Sequence, residues 1–117
     1  MEASGARKFR LTKPAEFQRV FQNACKSGDA ALLVLARRND RGYPRLGLAI
    51  SIKAARGAVT RNRVKRIVRE SFRRHQAALG SLDFVVTGRP LLAEKTNPEL
   101  RAALDKHWQT LASCKKS

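Results

Sequence analysis

Acidic residues are scarce in this sequence. Its 117 residues include 9 Asp and Glu against 25 Lys and Arg, a formal charge of +16. Such an excess repels itself unless a polyanion offsets it, so the expected partner is a nucleic acid or an anionic membrane surface. Long apolar runs are also missing, and none approaches the roughly 20 residues that span a bilayer. The opening "MEASGARKFRL" lacks the basic start and apolar core of a secretory signal, so a cytosolic protein is expected. Cysteine is limited to Cys25 and Cys114, with no CxxC pairing; reduced thiols are expected rather than a disulfide framework or a zinc site. Metal-assisted cleavage by protein groups needs carboxylates or histidines clustered around ions about 4 Å apart. Here the acids are scattered from Glu2 to Asp105, so neither a metal site nor a catalytic residue is expected on the chain. His75 and His107 could form an acid–base pair if the fold joined them, but each is read more simply as a helix-face or helix-end residue.

What is present reads as one domain, a length suited to a single core. Residues 1–8 form a loose basic arm, 9–113 the domain and 114–117 a tail. "TKPAEFQRVFQNA" predicts a helix with Pro14 at its first position, where a missing N–H costs nothing. Phe17, Val20 and Phe21 share one of its faces. "ALLVLARR" and "RLGLAIS" predict strands over 31–38 and 45–52, joined through the turn chemistry of "NDRGYP" into an antiparallel hairpin. In the second strand, small Gly47 and Ala49 leave one side open to close packing or binding. A helix over about 57–77 closes at "LGS", followed by a strand at 82–88 and a loop from Pro90 to Asn97. A last helix over about 98–113 carries Leu100, Leu104, Trp108 and Leu111 on one stripe. The expectation is an α+β two-layer sandwich in the order α-β-β-α-β-α, with helices packed on a small central sheet. The second strand, basic helix and third strand form a βαβ crossover, right-handed on general grounds.

The middle helix carries the strongest signal. Seven of the fourteen residues from Arg61 to Arg74 are Lys or Arg. At 100° per residue, Val64, Ile67, Val68 and Phe72 gather on one side, while Asn62, Lys65, Arg66, Arg69 and Arg73 form a cationic strip opposite. Arg61 and Arg63 flank it near the helix start. A solvated surface face is the ordinary explanation of charged helix positions, but three facts weigh against it here. Glu70 is the one acid in the run, so i,i+4 pairing cannot neutralise the strip. Arginine outnumbers lysine six to one, and its planar fork suits phosphates and base edges. The whole chain has the same sign. Membrane binding is disfavoured, because the apolar residues are needed inside and no aromatic anchors sit on the basic side. Nucleic acid remains, and RNA is preferred because no helix-turn-helix or zinc-finger spacing appears.

"RNRVKRIVRESFR", Arg61 to Arg73, resembles the arginine-rich RNR signature of the bacterial ribonuclease P protein family. "RLGLAISIK" before it, "LDFVVTGR" after it and "RLTKPAEFQRVF" near the start are similar to that family's second strand, third strand and first helix. The resemblance implies a subunit that binds a catalytic RNA and assists Mg²⁺-dependent removal of the 5′ leader from precursor tRNA. The Mg²⁺ would be bound chiefly by the RNA, and no further protein partner is implied. It assigns RNA-subunit contacts to Arg61, Asn62, Arg63, Lys65, Arg66 and Arg69, with Arg73 on the same strip. Leader contacts fall to Phe17, Phe21 and Lys53 in a cleft between the first helix and the sheet. It also implies a left-handed crossover, against the general rule. Where the family has two adjacent lysines after the second strand, this chain has Ile52 and Lys53, which removes one cation at the cleft edge. Read without the family, Phe17 and Phe21 are ordinary core aromatics, although aromatics beside cations also stack splayed bases. The competing readings are a structural RNA-binding protein, such as a ribosomal one, and an autonomous ribonuclease.

Overall fold

The computed structural model describes residues 8–51 and 53–117. Seven elements follow one another: α1 (Pro14–Gln22), β1 (Cys25–Gly28), β2 (Leu32–Arg38), β3 (Arg45–Ala49), α2 (Ala58–Leu79), β4 (Leu82–Gly88) and α3 (Asn97–Leu111), with a 3₁₀ turn at Leu92–Glu94 before the last helix. The expected α+β class holds, with helices on a small sheet, but the order gains a strand. β1 has the sequence CKSG and alternates between half-buried and exposed positions. It is too short and too polar for its periodicity to register as a strand.

The four strands lie in the order β1-β2-β4-β3. The expected hairpin of β2 with β3 is therefore not formed: β4 lies between them, antiparallel to β2 and parallel to β3. The reason is burial on both faces. Ala31, Leu32, Val34, Leu35 and Ala36 in and before β2, and Leu82 through Val86 of β4, are all buried. Continuous apolar runs of this kind take the central positions of a sheet. The β3–α2–β4 segment is the parallel crossover the sequence predicts.

Helices cover both faces. Leu32, Val34, Ala36, Phe84 and Val86 pack with Val64, Ile67, Val68 and Phe72 of α2 and with Leu100, Leu104, Trp108 and Leu111 of α3. The last four are each 1% exposed or less, so the predicted stripe is the buried one. Trp108 meets Phe84 and Phe72 edge-on at centroid distances of 5.2 and 5.9 Å, and its indole N–H donates to the Ser71 hydroxyl. On the other face α1 lays Val20 and Phe17 against Leu35 and Val85. Gly47 makes this possible, since a Cβ there would stand 2.7 Å from the Phe17 ring. The open side read from Gly47 in the sequence is thus filled by close packing. α2 ends at Gly80, whose φ of +66° favours glycine.

A buried ion network anchors α1 to the sheet. Arg45 reaches both carboxylate oxygens of Asp83, each at 2.8 Å, and Glu16 at 2.8 Å. The other Glu16 oxygen accepts from the backbone N–H groups of Thr12 and Lys13 at the start of α1. One carboxylate side chain therefore caps the helix and ties it down.

Cys25 and Cys114 are joined in a disulfide with Cα atoms 6.0 Å apart, across 89 residues of sequence. This corrects the expectation of reduced thiols. The chain after α3 turns back along the sheet, where the Arg38 N–H donates to the Lys116 carbonyl, and this return brings Cys114 beside β1. Local spacing carries no trace of such a contact.

Candidate nucleic-acid interface

The interface is built on α2. Its buried side, Val64, Ile67, Val68, Ser71, Phe72 and Leu79, fixes the helix in rotation, and the opposite side is left to the cations. Asn62, Arg66, Arg69 and Arg73 are exposed, and Arg61 and Lys65 are half-buried. Among the described residues, no carboxylate lies within ion-pair distance of Arg61, Lys65, Arg66 or Arg69. The first turn of α2 contains no acid and no side-chain cap. Cations near this end oppose the helix dipole at a cost of about 0.3 to 1 kcal/mol each.

Arg63 is placed differently. Its guanidinium donates to the Asn97 side-chain oxygen at the start of α3, on the flank of α2 turned away from the strip. The helical wheel put it at the margin of the cationic face, and the adjoining helix draws it across.

The strip forms one wall of a groove of about 630 Å³, and residues 9–12 form the other. These residues extend the sheet beyond β3: Leu46 N–H donates to the Phe9 carbonyl and Leu11 N–H to the Leu46 carbonyl, at 2.8 and 3.0 Å. Five cations line the groove, Arg10, Lys65, Arg66, Arg69 and Arg73, with Phe9, Phe17 and Leu48 among its apolar residues. Burial first, and then the like charge of Arg10, lower the pKa of Arg69 below the ordinary arginine value. Arg10 and Phe9 were not read as site residues from the sequence. The signal available was the alternation of apolar Phe9 and Leu11 with polar Arg10 and Thr12, which marks an extended segment. Lys8 is described although the rest of the expected arm, residues 1–7, lies outside the described residues. Its ammonium stands 4.6 Å from the Tyr43 ring centroid and 5.5 Å from that of Phe9.

Across the sheet lies the second candidate surface. α1 covers part of its face and leaves a row half-covered: Leu33, Thr87 and Ala49 are register neighbours across β2, β4 and β3, and all three are of intermediate exposure. Phe17 is half-buried on Gly47, while Phe21 is 49% exposed. Lys53 is exposed in the turn after β3. Ile52, where a family cation is replaced, lies outside the described residues.

The histidines do not pair with each other. His107 is buried and sits between the Ser27 hydroxyl at 2.6 Å and an Asp29 carboxylate oxygen at 2.8 Å, which fastens α3 to β1. His75 bonds to the Ser71 carbonyl at 2.8 Å and lies 3.5 Å from Asp105. Among the described residues, no group of three or more His, Cys, Asp or Glu could hold a metal ion. Nor is any described helix long and apolar enough to cross a membrane.

A cationic helix face in this order of elements has a counterpart among known proteins, and the family model described as ribonuclease P matches residues 6–112. The chain belongs to the ribonuclease P protein family. The ribonuclease P protein component of Methylococcus capsulatus is 52% identical over 105 residues, covering 90% of this chain and 82% of that one. That of Pseudoalteromonas atlantica is 46% identical over 117 residues, covering 99% and 98%. A structure of a Staphylococcus aureus RNase P protein mutant with defective mRNA degradation activity superposes with a TM-score of 0.87 at 25% identity, covering 93% of this chain and 92% of that one. The Thermotoga maritima RNase P protein in complex with 1-(4-fluorophenyl)-2-thiourea gives 0.78 at 30% identity, covering 91% and 100%. The family resemblance read from "RNRVKRIVRESFR" is thus borne out in sequence and fold. Membership in the ribonuclease P protein family makes the chain a protein component of an endoribonuclease complex that processes tRNA, with the ribonuclease P RNA as its partner.

Proposed function

We propose that this chain binds the RNA subunit of ribonuclease P through the cationic side of α2 and grips the 5′ leader of precursor tRNA on the sheet face beside α1. The carrying observation is the strip itself: a helix fixed by a buried face, presenting Lys65, Arg66 and Arg69 without carboxylate partners among the described residues. Guanidinium groups held this way meet phosphates without first breaking ion pairs, and Asn62 adds directional hydrogen bonds. Arg61 and Arg73 extend the contact along the helix. Arg63, held by Asn97, acts mainly by joining α2 to α3. For the leader, Phe21 supplies an exposed ring, Phe17 a half-covered one, and Lys53 a cation at the rim.

The catalytic centre is assigned to the RNA. The two histidines are held apart by their own partners and form no pair with each other, and among the described residues no group of three or more His, Cys, Asp or Glu could hold Mg²⁺. The ion is accordingly assigned to the RNA subunit, and the protein contributes by screening repulsion between two RNAs and by favouring precursor over mature tRNA. A cytoplasmic location goes with this role.

The test is precursor-tRNA cleavage at low Mg²⁺ in four samples: buffer, protein alone, bacterial ribonuclease P RNA alone, and both together. Cleavage that is much faster with both supports the reading. Cleavage by protein alone would place the active site on this chain, and absence of stimulation would leave a structural RNA-binding protein.

A further inference from the structure

The groove between residues 9–12 and α2 is more apolar than phosphate binding requires. Phosphates need cations and N–H donors, and the α2 wall supplies them. Yet Phe9, Phe17 and Leu48 line the same groove and each remains partly open. Apolar surface left in water beside cations is unfavourable in the free protein. An unstacked base covers such a surface while its own phosphate meets the cations. The dimensions agree, since about 630 Å³ lies within the range of sites that enclose a small ligand.

Charge points the same way. The five cations face Glu70 as the one acid among the lining residues. Arg10 and Arg69 line the same groove; the pKa of Arg69 is lowered mainly by burial and secondarily by the like charge of Arg10, and neither has a carboxylate within ion-pair distance among the described residues. Two like charges meeting in this way are best satisfied by an anion between them. The Phe9 ring is held ready by an edge-on contact with Tyr43 at 5.6 Å.

We infer that this groove is a subsite for one unstacked RNA nucleotide, with its base against Phe9 and Leu48 and its phosphate between Arg10 and Arg69. The inference rests on reading α2 as the RNA face. It adds a base-binding site at Phe9 and Leu48 that adjoins the sheet cleft assigned to the leader and shares Phe17 with it, and the nucleotide could belong to the RNA subunit or to the precursor.

The experiment uses the full chain with bacterial ribonuclease P RNA and precursor tRNA, single abasic substitutions being introduced into each RNA in turn. Phe9→Ala is expected to weaken binding of one of the two RNAs by about 5- to 150-fold without altering its salt dependence, while Phe9→Tyr retains affinity. One abasic position in that RNA should cost the unaltered protein as much, and cost the Phe9→Ala protein nothing more. The RNA that holds this position names the source of the nucleotide. If Phe9→Ala fails to fold, Leu48→Ala replaces it in the cycle. No abasic position coupled to either side chain would overturn the inference. An unaltered protein that binds neither RNA would instead overturn the reading of α2.

Discussion

Replacing Arg66 and Arg63 one at a time by glutamine separates a cation that faces RNA from one held by the protein. Arg10, Lys65, Arg66, Arg69 and Arg73 line the groove, and Arg61 stands beside them on α2, so up to six phosphates can be contacted. At 0.7 to 0.9 counterions released per contact, log affinity for ribonuclease P RNA should fall against log salt with a slope of about −4 to −5. Raising monovalent salt fourfold, from about 50 to 200 mM, should then weaken binding roughly 250- to 1,000-fold. Arg66→Gln should make the slope shallower by about 0.7 to 0.9, which reduces the loss over the same range by a factor of about 3. Arg63→Gln should leave the slope unchanged. Its hydrogen bond to Asn97 is worth about 0.5 to 1.5 kcal/mol, and its removal should appear in thermal stability instead. The assay is fluorescence anisotropy of labelled ribonuclease P RNA at fixed Mg²⁺. Equal changes of slope for the two variants, or a parent slope near zero, would refute the assignment.

Charge reversal of Arg66 and Arg69 to Glu should abolish measurable RNA-subunit binding while circular dichroism shows a folded domain; an unfolded variant would make these residues structural. Gly47→Val should drive Phe17 from its seat, because even a Cβ there lies 2.7 Å from the ring. The expected cost is about 1 to 3 kcal/mol of stability with weaker leader binding, read by thermal melts and by comparing precursor with mature tRNA. For Glu16, burial raises the carboxyl pKa, but hydrogen bonds from the Lys13 and Thr12 backbone and the charge of Arg45 outweigh it and hold it below the ordinary glutamate value. Its stabilisation is therefore present above that value and is lost as pH falls through the lowered one. Glu16→Gln should flatten the acid limb of a stability–pH profile, and an unchanged limb would refute the link. Reducing Cys25–Cys114, which closes 89 residues, should cost about 2 to 5 kcal/mol, seen as a lower melting temperature in reductant. The Cys25→Ser/Cys114→Ser protein should melt at that same temperature.

Where one surface of an element decides its place, the sequence was readable. The buried sides of α2 and α3 emerge at Val64, Ile67, Val68, Phe72, Leu100, Leu104, Trp108 and Leu111, because helical periodicity separates them from charged neighbours. The small side of β3 at Gly47 was also visible, and its partner proved to be Phe17. Strand order was not readable. Whether β2 pairs with β3 or admits β4 between them depends on which apolar runs need cover on both faces, a property of the assembled sheet. Strand β1 is four residues long and has no run long enough to show a period. Arg63 differs from Arg66 through Asn97, 34 residues further along. Phe9 and Arg10 became groove residues only when their backbone joined Leu46. The cysteine pair likewise depends on where the last residues of the chain return.

The bond between Cys25 and Cys114 turns residues 25–114 into a covalent ring. The cationic helix lies within that ring, whereas α1, with Phe17 and Phe21, precedes it and hangs from it as a side chain of the loop. A protease cut in the turn at 39–43 would open the ring without separating its pieces, and the nicked molecule would keep both halves of the sheet until a reductant released them. A cut between α1 and Cys25 would instead leave α1, its two phenylalanines and Arg10 without a covalent link to the rest, held by the Glu16–Arg45 ion pair, buried Val20 and the backbone bonds to Leu46. The two RNA-facing surfaces thus differ in what holds them after proteolysis: one keeps a covalent tie through a single backbone break inside the ring, and the other depends on non-covalent contacts after a break just outside it.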